Sequence, residues 1–171
     1  MNAFERFEHL SARVESFKIC IPTIVEKKGK LVDFDLNELT WHQVKFLSDN
    51  ETLHSEMNTI PNNIGGIYMF RIKSDILPSL INYPMYIGRA QYNDGNYSLK
   101  TRCRSYKNDK RVTIQKLIHY WGRHLYISYT PLDDNELIVD LEKWLIASVL
   151  PVYNPKIDEV ETKNAVRMFN R

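Results

Sequence analysis

Four side chains of this sequence could together work on a phosphodiester. Tyr68 and Tyr86 each stand in a short glycine-containing segment, Gly66-Ile67-Tyr68 and Tyr86-Ile87-Gly88; Arg102 sits in the basic run that follows, and Glu142 lies further on. Hydrolysis needs an activated water, a counter to the charge building on the phosphate, and help for the leaving oxygen. Arginine is permanently cationic and forks two donors toward a phosphate oxygen. A carboxylate such as Glu142 suits Mg2+ or Mn2+, with waters and substrate oxygens filling the other positions. A phenol, with a pKa of about 10, is a poor base unless a cation favours its phenolate. Arg102, Arg89 or a metal could do that. Each residue alone also has a plainer reading. Arg102 could be a salt-bridging surface arginine, although Arg104 fits that role better. The tyrosines could be ordinary strand residues in a chain with 10 of them. From helix periodicity alone, Glu142 reads more readily as a surface glutamate of the i,i+4 sort.

The charge pattern gives a second reason to look at this part of the chain. Hydrophobic residues make up 43% and charged residues 26%, ordinary for a soluble globular protein, and the net charge is +2. Between Arg71 and Arg123, however, eleven Lys and Arg face only Asp75, Asp94 and Asp109, a net of +8, so the remainder sums to −6. A basic middle between acidic flanks is a footprint of polyanion binding, and equally of a solvated charged face. Cys20 and Cys103 show no C-x-x-C spacing, so neither a disulfide framework nor a zinc site is indicated. The five histidines show no ligand spacing. No run approaches the roughly 20 apolar residues of a membrane span. The N-terminus has acids early and no apolar core of a signal peptide. A soluble, cytoplasmic protein is the expectation.

The elements that must position these residues follow from periodicity. Phe4, Phe7, Leu10, Val14 and Phe17 form one helical stripe over residues 2–17. Two β-prone runs around Lys27-Lys28-Gly29-Lys30 predict a hairpin over 19–34. Residues 35–57 are weakly helical in pattern. An uncharged loop with Pro61, asparagines and glycines covers 58–66, and the subdomain boundary is expected near it. Strands are predicted at 66–73, 83–89 and 125–130. A helix capped by Ser98 should run to about Lys107, and another from Val112 to Gly122, which is suited to ending it. Asp133, with Glu136 three positions on, should cap a last helix that Pro151 stops. Its buried seam would be Leu137, Leu141, Leu145 and Val149, which leaves Glu142 at the seam's edge, able to point into a cleft. The expected fold is α+β: a small three-stranded antiparallel sheet flanked by helices.

Several segments together resemble a known family. Gly66-Ile67-Tyr68 and Tyr86-Ile87-Gly88 are similar, letter for letter, to the two motifs that name the GIY-YIG nucleases. Leu99, Arg102 and Tyr106 resemble the family's arginine helix. Glu142, Leu145, Ile146, Pro151 and Asn154 resemble its later glutamate-apolar-proline-asparagine pattern. The resemblance covers residues 65–156, and four segments in the right order are far more specific than one tripeptide. It implies a GIY-YIG-like nuclease domain over 61–156; residues 1–60, read from their patterning as a helix-hairpin-helix extension, and a C-terminal tail over 157–171 lie outside it. It implies a divalent-metal-dependent endonuclease, most readily on DNA, that cleaves by a single-metal mechanism with Mg2+ or Mn2+ on Glu142. Tyr68 would deprotonate or orient the nucleophilic water and Tyr86 would assist. Arg102 would stabilise the pentavalent phosphate. Asn154 would close the site by hydrogen bonds. Tyr106 stands where many members carry histidine and others tyrosine, which leaves the general base open. Arg89 stands where lysine is frequent. Arg89, Lys100, Arg104, Lys107 and Lys110 would hold backbone phosphates without reading bases.

Two other classes of function are compatible with the sequence. One is a nucleic-acid-binding module whose nuclease is silent; the intact set of Tyr68, Tyr86, Arg102 and Glu142 speaks against it. The other is a subunit of a larger defence or repair assembly, for which residues 1–60 would supply a homodimer contact or a partner surface.

Overall fold

A computed structural model describes residues 31, 34–73, 82–93, 97–158 and 160–169. The helix expected over 2–17, nearly all of the 19–34 hairpin and the 74–81 connector lie outside the described residues, as do residues 94–96 of the loop before Ser98.

The sheet is α+β in context and antiparallel throughout. Its strands are β1 (His42–Lys45), β2 (Gly65–Lys73), β3 (Asn82–Ala90) and β4 (Leu125–Leu132), in the order β1-β4-β2-β3. The expected count of three strands is therefore one short. The fourth comes from a stretch read as weakly helical. Val44 and Phe46 are buried while His42 and Gln43 are exposed. Alternation is confined to Val44, Lys45 and Phe46, too short and too close to buried Leu47 to stand out from helical spacing. Residues 42–60 therefore share the sheet's core, with Val44, Phe46, Met57 and Ile60 all buried in it.

The helices are α1 (Leu99–Ser105), α2 (Val112–Trp121), α3 (Asn135–Val149) and α4 (Val160–Phe169). Helix α1 stops at Ser105 and tightens into a 3-10 turn over Tyr106–Asn108, short of the expected Lys107. Gly122 stays right-handed, and the chain runs on into a second 3-10 turn over Gly122–His124. The cap of α3 is Asp134, whose carboxylate accepts from the backbone N–H groups of Glu136 and Leu137. The sequence reading placed it one residue early, on Asp133. The α3 seam is also rotated from the expected one. Ile138, Leu141, Trp144, Ala147 and Ser148 are buried, and Leu137, Leu145 and Val149 are only partly so. Leu150 ends the helix in a left-handed conformation before Pro151. Among the described residues no helix is long and apolar enough to cross a membrane.

The sheet separates two apolar clusters. One holds Tyr68, Phe70, Met85 and Tyr86 with Leu99, Cys103, Tyr106, Ile114 and Leu117 from the α1–α2 side. The other holds Ile67 and Ile87 with Ile138, Leu141 and Trp144 of α3. Alternation along the strands produces this division, since neighbouring residues point to opposite faces. One irregularity matters. Phe70 pairs with Tyr86 but Arg71 pairs with Pro84, so Met85 is an extra residue in β3. This bulge puts Met85 and Tyr86 in the same cluster, and it tolerates Pro84 because β3 is an edge strand.

Candidate active site

The site begins with two glycines. Gly66 has φ +150°, where a side chain is strained, and a Cβ there would collide with the Thr130 carbonyl of β4. Gly88 faces Tyr68 across the β2–β3 ladder. A Cβ on Gly88 would lie 2.5 Å from the Tyr68 hydroxyl and 2.7 Å from its ring carbon. The missing side chain of one motif thus makes room for the tyrosine of the other. That is a physical reason for their pairing in the sequence.

Helix α1 is anchored to present Arg102. The Ser98 hydroxyl accepts from Thr101 N–H at 3.1 Å and donates to Asn62 Oδ1 at 2.7 Å. The first helical N–H groups reach back to the preceding loop, Leu99 to the Ile64 carbonyl and Lys100 to that of Pro61. The helix start therefore leaves few orphan donors. Arg102 then lies 5.1 Å over the Tyr106 ring.

Tyr106 joins the two motif tyrosines. Its hydroxyl is 2.7 Å from that of Tyr68 and donates to that of Tyr86 at 3.1 Å. The rings meet edge-on at centroid distances of 5.7 Å and 5.5 Å, with Phe70 packed against all three. Such pairs each contribute about 1 kcal/mol beyond area burial, so the cluster is a rigid support as well as a chain of hydroxyls. Tyr68 and Tyr106 are fully buried and Tyr86 is 8% exposed. Burial, then the neighbouring phenols of Tyr106 and Tyr86, push the Tyr68 hydroxyl well above its ordinary range, against the pull of Arg102. Burial and Tyr86 likewise raise Tyr106. Both are neutral phenols at neutral pH in this state. Burial alone would lower Arg102, but the neighbouring Tyr68 and Tyr106 outweigh it, and the guanidinium titrates above its ordinary range.

On the α3 side of β3 lies a different environment. Glu142 of α3 pairs with Arg89 of β3, and the two side chains are 14% and 33% exposed. Burial raises the Glu142 carboxyl above its ordinary value, although Arg89 works against it. A cleft of about 440 Å³ connects the two sides, lined by Tyr68, Tyr86, Arg89, Arg102 and Glu142 together with Gln91, Asn93 and Tyr97 among others. Among the described residues its lining has one carboxylate and no histidine or thiolate, which is not a zinc-type ligand set. The donor set suits a hard cation that keeps waters and takes substrate oxygens. Among the described residues no cluster of three or more His, Cys, Asp or Glu offers an alternative.

The remaining site residues read from the sequence fall in several places. Asn154 grips the Ile87 backbone, donating to its carbonyl and accepting from its N–H, both at 2.8 Å. With Tyr153 N–H on the Met85 carbonyl, this closes the free edge of β3 and fixes the strand that carries Tyr86 and Arg89. Lys100 and Arg104 both hold Asn58, at 2.7 Å and 2.8 Å. Lys110 is exposed. Lys107 lines a second, larger cleft of about 760 Å³ with Asp109, His119, Trp121 and Arg123 among others.

Sequence reasoning missed Arg111. Its guanidinium lies 5.8 Å from the Tyr86 ring and 5.4 Å from that of Tyr106, and reaches the Tyr86 hydroxyl at 3.4 Å. Asp109 holds it there through contacts of 2.7 to 3.1 Å. A signal existed: Asp109 is the single acid between Lys100 and Lys116.

Comparison with protein-family models, with curated proteins and with solved structures returns no match.

Proposed function

We propose that this chain is a divalent-metal-dependent endonuclease of the GIY-YIG type that hydrolyses phosphodiester bonds in nucleic acid, DNA first. The observation that carries the reading is the meeting, in one cleft, of Tyr68, Tyr86, Arg102 and Glu142 from four different elements. Chance motif matches scattered through a sequence have no reason to converge in space.

In this reading Arg102, permanently cationic, binds the phosphate under attack and opposes its growing charge. Tyr86, the most exposed of the three phenols, meets the attacking water, and Tyr106 and Tyr68 hold its hydroxyl in place. The water oxygen joins phosphorus, its proton passes to a base, and the broken P–O bond leaves an oxygen that must gain a proton. Glu142 would hold Mg2+ or Mn2+, which supplies Lewis-acid charge on the phosphate side. Lys107 and Lys110 extend the cationic track for neighbouring phosphates.

A second reading is favoured by one observation. Glu142 is tied to Arg89, and a carboxylate spent on an arginine would leave a nucleic-acid-binding module without cleavage. Incubation of the protein with plasmid, single-stranded DNA and RNA, with Mg2+ or chelator, separates the two. The first reading requires cleavage that depends on metal. Salt-sensitive binding with no cleavage of any substrate would favour the second.

A further inference from the structure

Among the described residues Glu142 is the one carboxylate lining the cleft, and two guanidinium groups share that cleft with it. They are not equivalent. Arg102 is engaged with the phenols of Tyr68 and Tyr106. Arg89 is the cation assigned to Glu142. Arg89 offsets the carboxylate's charge and engages its Oε2, so a divalent cation must compete with the guanidinium for this group. Losing the arginine with nothing in its place is also unfavourable, since the Glu142 side chain is only 14% exposed and its charge would be left unpaired.

Arg89 has somewhere else to go. Its side chain is a third exposed, at 33%, and opens on the same cleft that Arg102 lines. A phosphodiester in that cleft presents the other anion that a planar guanidinium fork matches. The strand beneath Arg89 is held still by Asn154 on Ile87, so the exchange needs only side-chain rotation.

We propose that Arg89 is a latch on the cation site. It neutralises Glu142 in the free protein and passes to a substrate phosphate when nucleic acid enters, baring Glu142 for the divalent cation. This rests on the reading of Glu142 as the metal ligand. The consequence is ordered loading: cation and nucleic acid bind with positive coupling, and each tightens the other by the same factor. Free protein at a low cation concentration stays unarmed.

Calorimetric titration of Mn2+ tests this without relying on turnover. The protein is titrated free and loaded with a short phosphorothioate-linked duplex, as wild type, Arg89→Met, Arg89→Lys and Glu142→Ala. Thermal unfolding of each variant checks that it is folded. In wild type the duplex is expected to tighten Mn2+ about tenfold or more. Free Arg89→Met is expected to bind Mn2+ about as tightly as duplex-loaded wild type, with the coupling much reduced. Arg89→Lys, which keeps a cation at Glu142, retains the coupling. Equal Mn2+ affinity for free wild type and free Arg89→Met overturns the latch while leaving the metal ligand intact, provided Glu142→Ala loses Mn2+. Undiminished Mn2+ binding by duplex-loaded Glu142→Ala overturns the metal-ligand reading and the latch with it. Should Arg89→Met fail to fold, loss of coupling in Arg89→Lys, or its absence in wild type, overturns the latch.

Discussion

Asp109 and Glu142 each face an arginine, with side chains 12% and 14% exposed, yet their electrostatic states are opposite. Asp109 receives Arg111 through its backbone N–H, its Nε and its Nη2, on both oxygens. Those hydrogen bonds hold its carboxyl below the ordinary range. Glu142 has the Arg89 contact, and burial leaves its carboxyl above the ordinary range all the same. Near-equal side-chain exposure therefore does not decide the outcome: Glu142 lies deeper among protein atoms, where burial outweighs its one arginine contact and Asp158 adds to the rise, whereas the Arg111 hydrogen bonds outweigh the shallower burial of Asp109. Asp109 is committed to its arginine and serves to aim it at the Tyr86 hydroxyl. Glu142 is an acid poorly compensated in its charged form and open to a better partner. A shifted group in a cleft, short of partners, is where chemistry is expected.

The contrast can be broken or sharpened in several ways. The largest effect should come from Arg102→Ala, with cleavage falling about 10²–10³-fold, as when a donor to a developing anion is removed. Arg111→Ala should cost about tenfold or less, because Arg111 acts through Tyr86. Single-turnover rates on a labelled duplex measure both, and a larger loss for Arg111→Ala would reverse the roles given to the two arginines.

Next is the hydroxyl chain. Tyr106→Phe removes the link between Tyr68 and Tyr86 and strands a buried hydroxyl, at a cost of about 1–3 kcal/mol in urea unfolding. No change in stability would mean that the chain of hydroxyls is not the support described above.

The two carboxylates should also give stability opposite pH dependence. Asp109 has a folded value below its ordinary 3.8, so its contribution is present above that pH and is lost as pH falls through the lowered value. Glu142 has a folded value above its ordinary 4.5, so its contribution is full below that pH and is lost as pH rises through the raised value. Unfolding midpoints against pH should lose the acid-side fall in Asp109→Asn and the decline above 4.5 in Glu142→Gln. Identical profiles for the two variants would remove the distinction.

The smallest effect is expected at Lys100 and Arg104, which are tied to Asn58 on the exposed side of α1. Alanine at either should change stability by less than about 0.5 kcal/mol and lower the salt slope of nucleic-acid binding by at most about 1.

Much of the scaffold was legible because it rests on local rules. The alternation in 66–73 and 83–89, Ser98 as a cap and Pro151 as a stop are all short-range signals. Errors arose where two local readings compete. His42–Lys45 is only four residues long. The Asp133-Asp134 doublet offers two caps; the one that forms is Asp134, on a helix that buries Ile138 in the cluster with Ile67 and Ile87. Helix α3 is apolar around so much of its circumference that several seams fit its periodicity. At the site, the residue types were legible and the partnerships were not. Arg89 and Glu142 are 53 residues apart, and Tyr68 and Tyr106 are 38 apart. No sequence spacing encodes a contact made by folding a sheet edge against a helix. The bulge at Met85, which brings Met85 into the same cluster as Tyr86, has no composition signal beyond Pro84.

The most direct measurement sets the two acids side by side. Plasmid cleavage in Mg2+ is followed for wild type, Glu142→Gln and Asp109→Asn, with filter binding of the same DNA to each. Glu142→Gln should lose cleavage about 10³-fold or more with binding retained, while Asp109→Asn keeps cleavage within about tenfold of wild type. Cleavage by Glu142→Gln at the wild-type rate would contradict the assignment of the metal to this cleft.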